Sequence, residues 1–457
     1  MQNSHSSLPL EVTHALLNKA REARFNFGED TALVAVQHML KQTIDLIWTV
    51  CALGISVDNI FALGKVYSNS PPVMRYLRKL GVTIVESTEP EAGEFHSYFE
   101  HDVDRLWKIT SDTLSKRKIK RILILDDSGV CITNVPGNVL QRYSVCGVEQ
   151  TSLGMFRFEE KTPRVAVISW ARSAVKTEIG GLIFAKCLID KVNTEFLHGR
   201  PYKAEQLGII GMGSIGRAVA NLAVKQTGRV FFYDRNLQLD VPQRLHGRIT
   251  RLSSLEELLQ RCDLVIGCSG RNPFRDKWPS DHKPGIKLLS SSSGDQEFGP
   301  IINDVKNKPD FKIEPASWNI TSERGPCGKI RIAYLGYPYT FVSRATEAAP
   351  TKIVQLETGG LIASLIQARI FLQECEAGRV VNRGIHRVAA TSQRFIYTRW
   401  LRAMKDLNID IVEQFDYDPA VLLAARNEDW LTENTEPHPN ETYTNVEHVE
   451  RLVGHLW

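Results

Sequence analysis

The clearest chemical signal in this sequence is a glycine-rich run between a predicted strand and a predicted helix. The run has the pattern G-x-G-x-x-G and consists of Gly211, Met212, Gly213, Ser214, Ile215 and Gly216. Residues 207–210 before it are apolar, and residues 217–224 after it have helical character. In this setting the glycines allow a tight turn, a close approach to a pyrophosphate, and close packing of helix on strand. The helix start then offers N–H groups and partial positive charge to phosphates.

Asp234 adds a prediction that the cofactor is NAD. It follows the next predicted strand, residues 230–233, and lies 18 residues past Gly216. A carboxylate here accepts hydrogen bonds from the ribose hydroxyls of NAD and repels the extra phosphate of NADP, although the neighbouring Arg235 could weaken that preference. A later predicted strand, residues 264–268, has a small-residue end where a cofactor ribose can lie close to the backbone. That end consists of Ser269 and Gly270.

A second group of polar residues is predicted at the carboxyl edge of an earlier sheet. Residues 118–125 carry an unbroken run of isoleucine and leucine that predicts a buried parallel strand. Asp126 and Asp127 follow directly, at the edge where ligands bind in open α/β folds. Lys176 lies near the start of a predicted long helix, residues 173–192. These side chains are candidates for acid–base chemistry.

Alternating strand-like and helical runs predict an α/β fold with two lobes. Residues 31–51 are apolar at helical spacing and predict a helix. We expect residues 1–190 to form a flavodoxin-like or Rossmann-like α/β substrate domain. Residues 191–345 are expected to form a Rossmann-type NAD-binding domain with a doubly wound parallel sheet. Residues 346–457 would form a helix that returns to the substrate domain and a mixed C-terminal region.

Composition places the chain among soluble globular enzymes. Its 457 residues are 43% apolar and 24% charged, and the net charge of +4 is small beside 56 basic and 52 acidic side chains. This balance does not favour nucleic acid or an acidic membrane surface as a partner. The sequence has no run long enough for a transmembrane helix, no resemblance to a signal peptide at residues 1–10, and no metal-type spacing among its eight cysteines. We therefore expect a cytoplasmic protein with reduced thiols and no metal.

Several ordered segments within roughly the first 340 residues resemble adenosylhomocysteinase, the family of NAD-dependent S-adenosyl-L-homocysteine hydrolases. In chain order they are Gln37–His38–Met39, Asn59–Ile60–Phe61, Ile124–Leu125–Asp126–Asp127 with Thr133–Asn134, Val148–Glu149–Gln150–Thr151–Ser152, Ser173–Ala174–Val175–Lys176, the glycine turn, Asp234, Gly270 and Asp295–Gln296–Glu297. Each segment alone is a weak signal. The resemblance rests on their shared order along the chain.

The resemblance implies a chemistry in which NAD is recycled. In that family a ribose hydroxyl is oxidised to a ketone, the neighbouring hydrogen becomes acidic, a group leaves or adds, and the ketone is reduced again. By resemblance, Lys176 assists removal of the hydroxyl proton. Asp127, or the aspartate before it, orients the ribose or the lysine, and His38 on an early helix contacts the substrate. Thr151 and Ser152 would lie near the nicotinamide.

The chain departs from the family pattern around the substrate. The family's catalytic aspartate and asparagine, four and five residues after the lysine, fall at Gly180 and Gly181. Glu178 is the nearest carboxylate that could replace the aspartate. Ser293 and Tyr337 stand where the family has histidines. Loss of several polar partners can change the selectivity of a pocket by factors of about 10⁴, so we expect a substrate other than the family's usual one.

Three functions remain open from the sequence. The first is an NAD-dependent enzyme that oxidises a ribose-type hydroxyl of a nucleoside or a related sugar-containing molecule, with elimination, hydrolysis or epimerisation as later steps. The second is a catalytically inactive relative that binds NAD as a sensor or structural ligand. The third is an S-adenosylhomocysteine hydrolase in which residues such as Glu178 and Glu297 fill the missing roles. The resemblance also implies a homodimer or a higher homo-oligomer.

Overall fold

A computed structural model describes residues 10–197, 206–227, 229–238, 247–274, 281–314, 319–325, 328–341, 349–379, 383–415, 417–439 and 446–457. The chain divides into two units. The first comprises Met1–Ser87, Glu100–Gly180 and Pro350–Trp457, and the second comprises Thr88–Phe99 and Gly181–Ala349. The domain boundary that the sequence predicts at residues 345 and 346 lies outside the described residues.

The first unit is built on a seven-stranded parallel sheet with helices around it. Its strands are β1 (Thr31–Gln37), β2 (Ile60–Gly64), β3 (Thr83–Val85), β4 (Arg121–Asp126), β5 (Ser144–Glu149), β6 (Ala166–Ser169) and β15 (Gly384–Arg387), in the spatial order β15-β6-β5-β4-β1-β2-β3. Ala35 of β1 pairs with Leu125 of β4, so the residues that follow these two strands emerge at the same edge of the sheet.

Helices of 4 to 26 residues belong to the first unit, and the longest of them, α12, is buried over most of its length. The helices are α1 (Glu11–Glu22), α2 (Lys41–Ala52), α3 (Pro71–Leu80), α4 (Phe95–Leu114, which begins in the second unit), α5 (Val130–Thr133), α6 (Gly137–Arg142), α7 (Ser152–Glu160), α12 (Thr351–Glu376), α13 (Ala390–Asp406), α14 (Ile411–Phe415), α15 (Pro419–Ala424), α16 (Glu428–Glu433) and α17 (Val446–Gly454). Helix α12 is buried at every position from Ile353 to Leu372, and most residues of this stretch are apolar or small.

The helix predicted for residues 31–51 is wrong. Thr31–Gln37 forms the central strand β1, which is buried at every position, and only Lys41–Ala52 is helical. A strand that is buried on both faces is apolar at consecutive positions, so its sequence lacks the alternation that would identify it. His38 therefore lies just beyond the carboxyl end of β1 and not on an early helix, as the resemblance implied.

The second unit contains an eight-stranded sheet that is parallel except at one edge. Its strands are β7 (Leu207–Ile210), β8 (Val230–Tyr233), β9 (Ile249–Arg251), β10 (Leu264–Gly267), β11 (Ile286–Ser290), β12 (Lys312–Ile313), β13 (Ile320–Gly325) and β14 (Gly328–Ile332), in the spatial order β12-β13-β14-β11-β10-β7-β8-β9. Strands β12, β13 and β14 pair antiparallel. Its helices are α8 (Gly181–Lys191), α9 (Ser214–Thr227), α10 (Leu255–Arg261) and α11 (Gly299–Val305). The predicted α/β class with a doubly wound NAD-binding sheet is confirmed.

The predicted helix over residues 173–192 begins with a wider turn. Val175–Gly180 is π-helical, and regular α-helix starts at Gly181. The tail of the chain holds this turn, because the Gln393 side chain accepts a hydrogen bond from the Val175 N–H (3.3 Å) and the Tyr417 hydroxyl donates to the Ile179 carbonyl. Single π-helical turns are frequent at functional sites, and this one carries Lys176. Within the described part of the chain, no helix is long and apolar enough to cross a membrane.

Candidate cofactor and acid–base sites

The glycine turn of the second unit has the geometry of a phosphate-binding turn. Gly211 has a φ of 88°, and a Cβ there would lie 2.7 Å from the Cα of Ser269. A Cβ on Gly216 would lie 2.0 Å from the Gly211 carbonyl oxygen, so helix α9 and strand β7 approach as the sequence predicts. Gly213 differs, because a Cβ built on it meets no atom of the described residues within 4 Å. This open space beside the start of α9 fits a bound pyrophosphate.

Asp234 lies beside the glycine turn and is held by two backbone N–H groups. Its carboxylate accepts hydrogen bonds from the N–H of Met212 (2.6 Å) and the N–H of Asn236 (2.7 Å). Arg235 donates to the carbonyl oxygens of Asn272 (3.2 Å) and Pro273 (2.8 Å), so its guanidinium is committed to the loop after β10. The arrangement favours NAD over NADP, and Arg235 does not weaken that preference in the way the sequence allowed.

A buried carboxylate organises the small-residue end of β10. Glu297 accepts hydrogen bonds from the N–H (2.9 Å) and the hydroxyl (2.6 Å) of Ser269, and from the hydroxyl of Ser292. The Ser292 hydroxyl in turn accepts from the N–H of Gly270 (3.0 Å). Burial raises the pKa of Glu297 to about 7, although these hydrogen bonds act in the opposite direction. Glu297 thus fixes the backbone of Ser269 and Gly270, and Ser269 lies against Gly211.

Gly213→Ala is expected to weaken NAD binding about tenfold or more without destabilising the protein. The added methyl group meets no atom in the part of the chain that the structure describes, so the stability should change by no more than about 0.5 kcal/mol. It would occupy the space through which the pyrophosphate approaches the backbone. Titration calorimetry with NAD and thermal unfolding measure the two effects. Gly137→Ala, at another glycine with no atom within 4 Å, is the matched control, and equal NAD affinity in both variants would contradict the assignment.

Glu297→Gln is expected to make stability less dependent on pH. The unfolded carboxyl titrates near its ordinary value of 4.5, whereas the folded one titrates near 7, so wild-type stability should fall as the pH rises between these values. The glutamine variant lacks this titration, so its stability relative to the wild type should rise by about 3 kcal/mol as the pH rises from below 4.5 to above 7. Unfolding midpoints across a pH series test this, with the exposed Glu256→Gln as control. Parallel wild-type and variant curves would contradict it.

In the first unit, four chain segments bring polar side chains together at the carboxyl edge of the sheet. Asp127, after β4, is bonded to the Lys65 ammonium and lies 3.1 Å from His38 Nε2. His38 Nδ1 lies 2.6 Å from the Ser68 hydroxyl, and the Gln150 side chain donates to Asp127. Because carboxylate oxygens only accept, the proton of neutral His38 is assigned to Nε2, and Ser68 donates to Nδ1. We call these five residues the Asp127 cluster.

Asp127 and His38 differ in their charge state, because their surroundings shift the two pKa values in ways that leave one group ionised and the other neutral. Burial acts to raise the pKa of Asp127, but Lys65 and the hydrogen-bonded His38 outweigh it and hold the pKa well below its usual range. Burial lowers the pKa of His38, and the charges of Lys65 and Lys176 act in the same direction against Asp127. Asp127 is therefore ionised and His38 neutral near pH 7.

Two other buried carboxylates near Asp127, those of Asp126 and Glu149, are hydrogen-bonded to neighbouring loop and helix residues. Asp126 accepts from the Ile132 N–H (2.8 Å), and burial raises its pKa to about 7. Burial also raises the pKa of Glu149, which accepts from the N–H (2.7 Å) and hydroxyl (2.6 Å) of Thr151. Thr151 caps helix α7, and Ser152 is its exposed first residue. Between the two predicted alternatives, the structure brings Asp127 and not Asp126 to His38. The proposed role of Thr151 and Ser152 near the nicotinamide stays a prediction.

Lys176 is bonded to a carboxylate that the sequence did not indicate. Its Nζ lies 2.7 Å from Oε2 of Glu357 on α12, and the Trp170 indole donates to the same oxygen (2.8 Å). Glu178 lies on the same π-helical turn as Lys176, and its role as a substitute for the family's aspartate stays a prediction. No group of three or more metal-binding side chains is found in the described ranges, and the seven cysteines described are free.

Sequence analysis missed Lys65, Ser68 and Glu357. Lys65 directly follows strand β2, and the rule that pointed to Asp127, namely a polar residue just after a buried strand, could have found it. Ser68 follows three residues later on a short 3₁₀ turn. Glu357 lies inside an apolar helix of the C-terminal region, where no local pattern marks a functional carboxylate.

Comparisons with known proteins agree with the cofactor site. Residues 186–273 match the family model of the NAD-binding domain of D-isomer specific 2-hydroxyacid dehydrogenases. Two uncharacterized proteins of Mycobacterium tuberculosis, from strains CDC 1551 / Oshkosh and ATCC 25618 / H37Rv, are each 27% identical over 297 residues, 64% of this chain. The chain spans 56% of the length of these relatives. The crystal structure of a D-lactate dehydrogenase from Treponema pallidum is 10% identical with a TM-score of 0.35, covering 78% of this chain and 99% of that one.

The matched segment includes the glycine turn, Asp234 and the end of β10. It confirms that the second unit contains an NAD-binding domain and that NAD is the cofactor predicted from the sequence. Neither the matched family model nor the D-lactate dehydrogenase is of the adenosylhomocysteinase family, so the resemblance to that family stays a prediction.

Proposed function

We propose that this protein is an NAD-dependent enzyme that oxidises a secondary hydroxyl of a neutral, sugar-containing small molecule such as a nucleoside. The observation that carries the proposal is the Asp127 cluster, in which one buried carboxylate at the carboxyl edge of the sheet is bonded to both His38 and Lys65. Lys176 is bonded to the Glu357 carboxylate of the same unit, and a lysine and a neutral histidine can exchange two different protons during one reaction. The chain also carries an NAD-binding domain.

The charge balance of the site favours a neutral substrate. Lys65 is bonded to Asp127, and Lys176 is bonded to Glu357, while His38 is neutral. A 2-hydroxy acid would bring a carboxylate and would require a cation that is not already engaged. A polyhydroxylated substrate requires only hydrogen-bond donors and acceptors. The engaged cations therefore support a sugar hydroxyl as the reacting group and the nucleoside-like substrate predicted from the sequence.

Each residue has a defined role in this proposal. Lys176, in its uncharged amine form, takes the proton of the reacting hydroxyl. Asp127 does not bind the substrate, because its oxygens are already used by Lys65, His38 and Gln150; it orients His38 instead. Gly211, Gly213, Ser214 and Asp234 would hold the NAD, which supplies the hydride acceptor when bound. His38 is the base for a second proton, next to the ketone, in an adenosylhomocysteinase-like elimination, hydrolysis or epimerisation. It takes this proton at Nδ1 when the Ser68 hydroxyl turns to its other acceptor, the Lys65 carbonyl oxygen 3.4 Å away.

A substrate panel tests the proposal. The purified protein with added NAD is offered nucleosides, free sugars and 2-hydroxy acids, and formation of reduced nicotinamide is followed by its absorbance. We expect reduction with members of the first two groups. Reduction by 2-hydroxy acids alone would overturn the substrate assignment while leaving an NAD-dependent oxidoreductase. S-Adenosylhomocysteine is included with an assay for released homocysteine, which tests whether the family's own reaction is retained.

A second candidate is an NAD-binding protein without turnover. It is favoured by one observation: both ring nitrogens of His38 are engaged, by Asp127 and by Ser68, so the histidine could be purely structural. This candidate predicts NAD binding with unchanged absorbance for every compound in the panel. It also predicts that Ser68→Ala changes stability only. The enzyme proposal predicts that Ser68→Ala changes the pH profile of the reaction.

A further inference from the structure

Helix α12 supplies the group that holds Lys176. We propose that Glu357 is the positioning residue for Lys176 and that residue 180 is a glycine so that the Glu357 carboxylate can occupy its place. The inference rests on the proposed function because it takes Lys176 as the proton-accepting group. The Lys176 ammonium lies 2.7 Å from Glu357 Oε2, and 24% of the lysine side chain is exposed against 12% of the glutamate. A half-buried ion pair of this kind can fix a long, flexible side chain at one point.

The Glu357 carboxylate is itself fixed from the other side. The Trp170 indole N–H donates to the same oxygen at 2.8 Å. Trp170 is fully buried and packs directly on α12, because a Cβ on Gly360, one helical turn after Glu357, would lie 2.1 Å from its ring. Strand β6 ends just before this tryptophan. Two rigid elements therefore determine where the carboxylate that meets Lys176 can lie.

Position 180 and Glu357 occupy the same space. A Cβ built on Gly180 would lie 2.3 Å from Glu357 Oε1. That oxygen is buried and has no hydrogen-bond partner within the described ranges. A side chain at position 180, four residues after Lys176, would push the Glu357 carboxylate out of its present position. Lys176 can therefore be held either by a side chain at position 180 of its own helix or by Glu357 of α12. In this chain Glu357 holds it.

Substitutions at the two positions test this exchange. The variants are Glu357→Ala, Gly180→Asp and the double variant Gly180→Asp/Glu357→Ala. The matched controls are Gly180→Ala and Gly180→Ala/Glu357→Ala, which fill the space at position 180 without adding a carboxylate. One measurement is the rate at which the Lys176 amine reacts with an amine-specific reagent at a single pH, read by peptide mass spectrometry. The other is the midpoint of thermal unfolding. Neither requires a substrate or NAD.

Glu357→Ala is expected to make Lys176 react severalfold faster, because its amine is no longer held against the Glu357 carboxylate and becomes accessible to the reagent. Gly180→Asp alone should lower the unfolding midpoint because it clashes with Glu357. The double variant Gly180→Asp/Glu357→Ala should be more stable than additive effects of its two substitutions would predict. Its Lys176 labelling rate should return toward that of the wild-type protein. The alanine double control should regain stability and keep the fast rate.

Two outcomes would overturn the inference. One is an unchanged Lys176 rate in Glu357→Ala, which needs only that variant to fold. The other is additive stability effects at positions 180 and 357. Failure of the proposed function is distinguishable, since a protein that oxidises no substrate could still show the exchange in both measurements. Conversely, an active enzyme in which Glu357→Ala leaves Lys176 unaffected would retain the proposed function without this positioning residue.

Discussion

Lys65→Met is expected to lower the free energy of unfolding of the first unit by about 3–5 kcal/mol, the usual cost of leaving a buried charge without its partner. The Lys65 side chain has no exposed surface and its ammonium is bonded to Asp127, whose side chain is only 2% exposed. Methionine fills a similar volume but cannot balance the carboxylate. Chemical denaturation at neutral pH, followed by a signal from the first unit, measures the loss.

The effect of Lys65→Met has a defined pH dependence. The folded-state pKa of Asp127 lies well below its ordinary value, so the stabilisation is complete above about pH 4 and is lost as the pH falls further. Without Lys65, the burial of Asp127 is no longer outweighed, its pKa rises, and stability should begin to fall at a higher pH than in the wild type. An acid titration of both proteins compares these onsets.

The control for Lys65→Met removes both charges. Lys65→Met/Asp127→Asn leaves no unbalanced charge, and it should recover much of the lost stability, because replacing a buried ion pair by neutral groups is often close to neutral in free energy. If the single variant is as stable as the double variant, Asp127 does not depend on Lys65. In that case the charge balance used to argue for a neutral substrate would also be wrong.

Lys176→Met is expected to reduce substrate oxidation by about 10²- to 10⁴-fold, the range over which a positioned acid–base group accelerates proton transfer. Its ammonium is held by Glu357 on the first unit, and the NAD-binding residues belong to the second unit. We therefore expect the affinity for NAD to stay unchanged. Steady-state kinetics with the best substrate of the panel and calorimetric titration with NAD separate the two properties.

Lys186→Met provides a matched control on the next helix. Lys186 forms a partly exposed ion pair with Asp190 four residues later, a type of pair that contributes about 0.3–0.5 kcal/mol. This variant should retain wild-type turnover. Full turnover in Lys176→Met with NAD binding intact would exclude Lys176 as the proton acceptor.

The cofactor site was predictable because its parts are close in sequence and obey local rules. The turn from Gly211 to Gly216 lies between β7 and α9 as predicted, and Asp234 follows the adjacent strand β8. Strands in this unit, such as Ile286–Ser290, are bounded by short turns, and their apolar runs are too short to be helices. The α/β class was predictable for the same reason.

The acid–base site was predictable only in part, because it is assembled by pairing distant segments. His38, Lys65 and Asp127 follow β1, β2 and β4, three neighbouring strands that are separated in sequence by helices. The order of strands in a sheet is set by packing and not by local sequence, so Lys65 could not be placed beside Asp127 beforehand. The misassigned strand β1 also concealed that His38 lies at this edge. Glu357 comes from a helix that begins after the whole second unit.

The position of α12 after the second unit in the chain determines the order in which the two units are synthesised. A ribosome completes residues 181–349, the main part of the NAD-binding unit, before it begins helix α12 and strand β15 of the first unit. The nascent first unit then lacks its central helix and one edge strand, whereas the second unit can already close its sheet. Cofactor capture can therefore precede completion of the site that carries Lys176. Under the proposed function, a nascent chain that holds NAD would not oxidise its substrate until residues 350–376, which carry Glu357, have been synthesised.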